Sequence, residues 1–245
     1  MTLFDRYPKY KRNARDRQRM NLRHRFCVDA MKPYFEGKRV LDLASHDGRW
    51  AFCYAEAGAK RVVGVEGRQD LIDAFGEFPN PRIKARVELY PGDAADFMLG
   101  LTAVGERYDF VAILGFYYHT MEHYRLLALA RDLGAQTICI DSEFVISDNA
   151  MIQVVMETTD KASNAIATLG AQNMAVIGIP SLRATEQMAD VLGYDVTWLD
   201  WDSVPEDERV NVGDYYRKGR KRRMTCRLDL RPDTCVAPLK SPVDD

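Results

Sequence analysis

Residues 39–48 read Arg39-Val40-Leu41-Asp42-Leu43-Ala44-Ser45-His46-Asp47-Gly48, and this stretch decides the fold. Its first five residues form an apolar strand, and Gly48 precedes a predicted helix over 50–56. A short loop between a strand and a helix directs backbone N–H groups and the positive helix end toward a ligand. Three glycines usually open such a loop to a nucleotide. Only the last is present here, because Ala44 and His46 occupy the first two places.

Strands and helices alternate along residues 39–141. The predicted strands cover 39–43, 61–66, 87–90, 108–114 and 136–141, and the predicted helices cover 50–56, 69–75, 94–101 and 122–132. Short apolar strands that alternate with helices are typical of a doubly wound, parallel α/β sheet with helices on both faces. Two late strands, at 195–199 and 224–230, extend the prediction to a mostly parallel sheet of seven strands.

The remaining segments divide the chain further. We predict an N-terminal helical extension over 1–36, with an amphipathic helix at 16–32 stopped by Pro33. The main domain covers 37–230 and includes an insertion over 142–180. A helix begins after Ser181, a good N-cap, and ends at Gly193. Residues 231–245 are predicted to be a flexible tail.

Composition limits the classes to which the protein can belong. The 245 residues are 47% hydrophobic, and no apolar run approaches the length of a membrane-spanning helix. The N-terminus lacks the apolar core of a signal peptide. The five cysteines form no Cys-x-x-Cys pair, which favours reduced thiols. We therefore expect a cytoplasmic protein that does not enter a membrane, while its oligomeric state stays open.

Basic residues are concentrated in two segments. Residues 6–25 contain nine Lys or Arg against one acid, and residues 217–223 contain six Lys or Arg. Two such patches on an acidic body are able to attract RNA or another anion. The alternative is a solvated helix face together with a charged edge strand.

Three acids follow three successive strands. Asp42 ends the first strand, Glu66 the second, and Asp93 follows the third. The carboxyl ends of parallel strands form one edge of the sheet, where open α/β sheets bind ligands. Glu66 lies 24 residues after Asp42, a distance at which an acid accepts hydrogen bonds from a ribose diol.

Residues 39–141 resemble the core of class I S-adenosylmethionine-dependent methyltransferases, in a variant that keeps only the last glycine of the first motif. The resemblance implies that S-adenosylmethionine is the cofactor and S-adenosylhomocysteine the product. It implies that Ala44, Ser45 and Gly48 line the methionine and ribose side, and that Asp42 orients the loop or meets the amino group through water. It also implies that the N-terminal extension acts as a lid and that the 142–180 insertion lies near the acceptor pocket. The implied ribose and adenine contacts are Glu66 with Gly67 and Arg68 beside it, and Asp93 with Ala94.

The loop after the fourth strand reads Leu114-Gly115-Phe116-Tyr117-Tyr118-His119. In the resembled family this loop faces the reactive methyl group, which places Leu114 and Gly115 beside the cofactor. His119 is the candidate general base because imidazole titrates near neutral pH, or it holds the loop by hydrogen bonds. Further candidates for substrate contacts are His46, Tyr117, Tyr118, Arg183 and Tyr10, with one of the two adjacent tyrosines expected to pack in the core.

Two patterns suggest metals and are rejected. Residues 119–123 match the zinc-peptidase pattern H-x-x-E-H, which needs both histidines on one continuous helix. His119 instead follows a buried strand. Asp141 ends the fifth strand, where some metal-dependent methyltransferases hold magnesium, but the Asp-Asn pair at 148–149 lies too close to it. We expect no metal site.

These patterns predict a methyltransferase that acts on an oxygen or nitrogen atom of a small molecule by in-line displacement. An RNA- or tRNA-modifying methyltransferase is the alternative, motivated by the two basic segments. A non-catalytic cofactor-binding protein is the third interpretation, because His119 has two possible roles.

Overall fold

The computed structural model describes residues 1–11, 13–167 and 169–234, and its centre is a seven-stranded sheet. The strands in chain order are β1 (Arg39–Leu43), β2 (Arg61–Glu66), β3 (Val87–Pro91), β4 (Phe110–Leu114), β5 (Thr137–Val145), β8 (Tyr194–Trp198) and β9 (Lys221–Leu230), with β6 (Ile152–Thr158) and β7 (Met174–Pro180) forming a separate hairpin. The spatial order is β3-β2-β1-β4-β5-β9-β8. The first five strands are parallel, and β9 is antiparallel to β5 and β8. The predicted seven-stranded, mostly parallel sheet is confirmed.

Helices cover both faces of this sheet. They are α1 (Leu3–Arg6), α2 (Pro8–Lys11), α3 (Ala14–His24), α4 (Lys32–Phe35), α5 (Arg49–Glu56), α6 (Gln69–Asp73), α7 (Pro81–Lys84), α8 (Ala94–Ala103), α9 (His123–Asp132) and α10 (Leu182–Val191). Alternate β1 residues explain the two layers: Leu41 packs with α8 and α9, whereas Val40 packs with α5 and the N-terminal helices. Both faces of the strands are buried, as parallel sheets require.

The N-terminal extension differs from the prediction. In place of one helix over 16–32, α3 is followed by a π-helical segment, Arg25–Asp29, and then by α4. Pro33 does not stop a helix. It lies in the first turn of α4, where its missing N–H group costs no hydrogen bond.

The first residues of the chain are part of the core. Leu3 and Phe4 are fully buried, and the Phe4 ring lies 5.4 Å from the Trp50 ring in an edge-to-face arrangement. This segment is therefore packed against α5, which a detachable lid would not be. A lid movement of the extension remains a hypothesis.

The 142–180 segment contains a β-hairpin. β5 continues to Val145, and β6 and β7 then pair as an antiparallel hairpin in which Glu157 lies opposite Ala175. Ser181 caps α10 as predicted, since its Oγ accepts the Ala184 N–H at 3.1 Å.

The C-terminal segment and the cysteines were also the subject of predictions. Arg231 pairs with Asp190, whereas residues 235–245 of the predicted tail lie outside the described residues. Four cysteines, Cys27, Cys53, Cys139 and Cys226, are free and buried. Among the described residues no helix is long and apolar enough to cross a membrane.

Candidate active site

A cavity of about 310 Å³ lies at the carboxyl ends of the parallel strands. This volume is in the range of small-molecule sites. Eleven of the predicted site residues line it: Ala44, His46, Glu66, Gly67, Arg68, Asp93, Ala94, Leu114, Gly115, Tyr118 and His119. The cavity is not lined by Asp42, Ser45, Gly48, Tyr10, Tyr117 or Arg183.

The β1–α5 loop follows the backbone course of a glycine-rich loop, although only the last of the three usual glycines is present. Ala44 and His46 have φ angles of 52° and 55°, and Gly48 has a φ of 75°. A left-handed conformation costs a non-glycine residue about 1–2 kcal/mol. At Gly48 a side chain is also excluded, because a Cβ would lie 2.6 Å from the Phe75 ring. The loop therefore follows the course that three glycines would favour.

The Glu66 carboxylate holds this loop in place. Its Oε2 accepts the backbone N–H of His46 at 2.9 Å, and its Oε1 accepts that of Arg68 at 3.0 Å. The residue is 5% exposed and lines the cavity. Each carboxylate oxygen can accept one more hydrogen bond, so the side chain retains capacity for a ligand.

Asp93 has a similar double role at the start of α8. Its Oδ1 accepts the backbone N–H groups of Ala95 at 2.9 Å and Asp96 at 3.2 Å, which caps the helix. Both bonds fall on one oxygen, and the residue lines the cavity beside Ala94. The second oxygen is left to accept from a ligand.

His119 ends a short 3₁₀ turn, Tyr117–His119, directly after β4. Its Nδ1 lies 2.6 Å from Oε1 of Glu157, and that oxygen also accepts the backbone N–H of Ala165 at 2.7 Å. An ionised carboxylate can only accept, so we place the imidazole proton on Nδ1. Nε2 is buried and has no hydrogen-bond partner among the described residues.

The surroundings of His119 favour the neutral imidazole. The side chain is only 9% exposed, and burial lowers its pKa, while Glu157 acts in the opposite direction. A neutral ring with a free Nε2 lone pair has the form of a general base. Sequence reasoning missed Glu157. Its only signal was the weak alternation of β6, which places it on the inner face with Gln153 and Val155.

The two adjacent tyrosines divide their roles. Tyr118 lines the cavity, and its ring lies 4.0 Å from the His119 ring. Tyr117 is fully buried and packs edge-on against His123, so the predicted substrate contact of Tyr117 is corrected to a core contact. The reason is that neighbouring side chains diverge, and one of the two must face the core.

Four other predicted residues lie outside the cavity for identifiable reasons. The Arg183 side chain is 57% exposed and pairs with Glu186. Tyr10 donates its hydroxyl to Asp47 at 3.1 Å.

Ser45 is buried, and its N–H donates to the Val65 carbonyl oxygen at 2.9 Å. Gly48 is the N-cap of α5, where its missing side chain makes room for Phe75 and Leu89.

Asp42 is also outside the cavity. Burial raises its pKa to about 8, although the backbone N–H of Ala51 in α5 donates to it and acts in the opposite direction. Oδ2 has no hydrogen-bond partner among the described residues. The contact with Ala51 joins the end of β1 to the first turn of α5, so Asp42 supports the loop from below.

The rejected metal patterns have structural roles. His123 donates from Nε2 to the Gly178 carbonyl oxygen at 3.0 Å, which joins α9 to β7. Asp141 is enclosed by donors from α3, β9 and the Gly213–Tyr216 turn. Within the described ranges, no group of three His, Cys, Asp or Glu residues is placed to hold a metal.

Comparison with known proteins identifies the fold. No family model and no curated protein matches the sequence. The N-terminal domain of EvdMO1, solved in the presence of S-adenosylhomocysteine and D-fucose, superposes with a TM-score of 0.60 at 17% identity, over 89% of this chain and 82% of that one. A methyltransferase dependent on S-adenosylmethionine from Archaeoglobus fulgidus gives 0.53 at 18% identity, over 90% and 96% of the two chains. The chain has the class I methyltransferase fold.

In this methyltransferase fold the β6–β7 hairpin closes over the cavity. Arg68 Nη2 donates to the carbonyl oxygens of Lys161 at 2.9 Å and Asn164 at 3.0 Å. Ile166 packs on Gly67, where a Cβ would lie 2.7 Å from Ile166 Cδ1. Arg68, predicted as a cofactor contact, thus also anchors the hairpin loop.

Replacing Arg68 by alanine is expected to loosen this loop. The lost hydrogen bonds come from a charged donor, so the local opening free energy should fall by about 1.5–3 kcal/mol. Hydrogen exchange of the 161–166 amides should then become faster by at least about tenfold. Arg61→Ala, which removes an arginine paired with Glu88 at the other end of β2, is the control. Equal exchange in the two variants would contradict the anchoring role.

Several cations of the two basic segments are paired with acids of the same chain. Arg19 forms a two-pronged ion pair with Asp214, Arg217 pairs with Glu143 at 3.0 Å, and Lys9 pairs with Asp47 at 2.7 Å. Arg23 and Arg223 are buried beside Asp141. These pairs hold part of each segment within the chain, while Lys218 and Arg220 are exposed. Both sequence interpretations of the segments stay predictions.

Proposed function

We propose that the chain is an S-adenosylmethionine-dependent methyltransferase that acts on a hydroxyl or amine of a small molecule and releases S-adenosylhomocysteine. The observation that carries this proposal is the meeting of Glu66, Asp93 and His119 at one cavity on the carboxyl edge of the sheet. The presence of S-adenosylhomocysteine in the EvdMO1 structures supports the choice of cofactor.

The cavity residues fit this cofactor. Glu66 would accept the ribose hydroxyls, because its oxygens retain acceptor capacity beside the side-chain-free Gly67. Asp93 Oδ2 would accept from the adenine amino group. Ala44, His46, Leu114 and Gly115 would surround the methionine end. When bound, the cofactor supplies an electrophilic methyl group on a sulfonium.

His119 would remove the proton from the acceptor atom. Nε2 carries the lone pair, and Glu157 holds the ring in this tautomer through Nδ1. Burial of the side chain lowers the pKa of the ring, which favours the neutral form, and excludes water from it. This arrangement favours catalysis over a purely cofactor-binding role.

A small acceptor fits the site better than RNA. The hairpin loop at 162–166 forms one wall of the cavity. RNA binding depends on cations that are free to contact phosphates, and it weakens steeply with salt. Arg19, Arg217 and Lys9 are instead paired with acids of the same chain.

Glu66→Gln is expected to weaken S-adenosylhomocysteine binding by about tenfold to a hundredfold, because hydrogen bonds to a charged acceptor contribute about 1.5–3 kcal/mol. Isothermal titration calorimetry measures this affinity. Glu88→Gln, which changes a partly exposed β3 residue paired with Arg61, is the control and should bind normally. Thermal unfolding of both variants separates a binding loss from a folding defect. Unchanged affinity in Glu66→Gln would refute the ribose assignment.

A further inference from the structure

Two arginines share one carboxylate beside the cavity. Arg23 Nη2 donates to Asp141 Oδ1 at 3.0 Å, and Arg223 Nε donates to the same oxygen at 2.6 Å. The side chains of Arg23 and Arg223 are 10% and 6% exposed, and that of Asp141 is fully buried. Both arginines line the cavity.

The positive charge of this group exceeds its negative charge. Asp141 Oδ2 accepts the hydroxyls of Tyr215 at 2.6 Å and Thr225 at 2.9 Å, and these donors and the two guanidiniums hold the pKa of Asp141 below its usual value despite its burial. Within this group, one ionised carboxylate therefore faces two guanidiniums, so the three side chains together carry one net positive charge.

Among the described residues, no other carboxylate is paired with either of these guanidiniums. Glu143 pairs with Arg217, Asp214 pairs with Arg19, and Glu157 accepts from His119 Nδ1 and from the Ala165 N–H. A buried guanidinium whose donors are incompletely paired is costly, so such a group is typical of a site that receives an anion.

Arg23 also has unused donors. Within the described part of the chain, it donates a single hydrogen bond, from Nη2 to Asp141, of the five that a guanidinium can donate. Its buried Nε has no partner there. The guanidinium carbon lies 5.1 Å from the Trp50 ring centroid, which fixes the group in place without satisfying its N–H donors.

The two guanidiniums converge at Gly115. A Cβ at this position would lie 3.2 Å from Arg223 Nη2 and 3.8 Å from Arg23 Nη2. Gly115 has a φ of 86° and lines the cavity, as do Tyr118 and His119 of the same loop. Because glycine has no side chain, both Nη2 groups can lie this close to the cavity loop.

We propose that Arg23 and Arg223 form an anion subsite that binds a carboxylate or phosphate group of the methyl acceptor. This assignment rests on the proposed function and narrows its substrate class to acidic hydroxy or amino compounds. Guanidinium forks match the planar oxygen pairs of both anions. In the sheet order, Asp141 on β5 and Arg223 on β9 lie on the far side of β4 from Glu66 and Asp93, so the anion and the adenosine would occupy opposite ends of the cavity.

Inorganic phosphate is the probe for the subsite. Calorimetric titration of phosphate into protein saturated with S-adenosylhomocysteine, at constant ionic strength and low chloride, should show binding to the wild type. Arg23→Gln leaves a neutral Arg223–Asp141 pair and should weaken this binding by at least about tenfold. Arg23→Lys, which keeps the charge, should retain most of it. Arg25→Gln removes a half-exposed arginine from the same helical segment and is the matched control.

Two results would overturn the subsite. One is the absence of phosphate binding to cofactor-loaded wild-type protein at about 10 mM phosphate. The other is equal binding to the wild type and to a folded Arg23→Gln variant. If Arg23→Gln fails to fold, competition on the wild type tests the same site. Phosphate binding should weaken as acetate is added and should not change when a neutral alcohol is added. Competition by the alcohol would contradict an anion site.

The cofactor's own carboxylate has the same chemistry and must be distinguished. 5′-Methylthioadenosine lacks the amino acid part of S-adenosylhomocysteine. If the subsite serves the acceptor, Arg23→Gln changes the affinity for 5′-methylthioadenosine and the affinity for S-adenosylhomocysteine by less than about threefold each. A selective loss for S-adenosylhomocysteine would assign the pair to the cofactor and overturn the acceptor assignment. Wild-type protein that binds phosphate but not S-adenosylhomocysteine would refute the proposed function while leaving the anion subsite in place.

Discussion

Asp141→Asn is expected to lower the free energy of unfolding by about 3–5 kcal/mol, the cost of removing one partner from a buried ion pair. The substitution leaves Arg23 and Arg223 buried with no counter-charge, while the amide keeps the shape of the carboxyl group. Urea unfolding at pH 7, followed by tryptophan fluorescence, measures the difference. Asp195→Asn removes an exposed partner of Arg231 and should change stability by no more than about 1 kcal/mol.

The effect of Asp141 should also depend on pH. Its folded-state pKa is below the ordinary value near 3.8, so its contribution is complete above about pH 4 and is lost as the pH falls through the folded-state pKa. The difference in the free energy of unfolding between the wild type and Asp141→Asn should therefore become smaller at acidic pH. A loss of less than about 1 kcal/mol at pH 7 would contradict the charge accounting on which the anion subsite depends.

His119→Ala is expected to reduce turnover by about 10²–10⁴-fold, the usual contribution of a general base. Screening acidic hydroxy and amino compounds for S-adenosylhomocysteine release identifies an acceptor for the assay. Binding of S-adenosylhomocysteine should be unchanged. Glu122→Gln, an exposed neighbour paired with Arg125, is the control and should stay active. Full activity of His119→Ala would assign the ring to holding the loop.

The pH profile separates these roles further. Because burial lowers the pKa of His119, the acid limb of kcat should lie below the usual imidazole value of about 6.5. Glu157 raises this pKa, so Glu157→Gln should move the limb to still lower pH and reduce kcat. An unchanged limb in Glu157→Gln would contradict its positioning role.

The sheet could be predicted because its signals are local. Each parallel strand is a short apolar run, and the acids Asp42, Glu66 and Asp93 lie at or just after the ends of β1, β2 and β3. The positions of Glu66, Asp93 and His119 at the cavity follow from strand order alone, since parallel strands end at one edge.

The parts that sequence reasoning missed depend on distant partners. Arg23, Asp141 and Arg223 meet across about two hundred residues, and Arg19 finds Asp214 over a similar separation. A count of charges in a window cannot reveal such pairs. Glu157 reaches His119 only because the hairpin folds back over the site. The helix predicted at 16–32 is helical through Asp29, and its predicted end at Pro33 was wrong because proline is compatible with a first helical turn.

The β1–α5 loop shows that this backbone geometry can form without the residues that usually encode it. A sequence profile scores amino-acid letters, and by that measure only Gly48 remains. The torsion angles at positions 44, 46 and 48 preserve the same path, and the cost of two strained side-chain-bearing residues is offset by the grip of Glu66 on the His46 amide. Relatives of this chain are therefore better sought by a pattern of left-handed backbone positions than by a spacing of glycines.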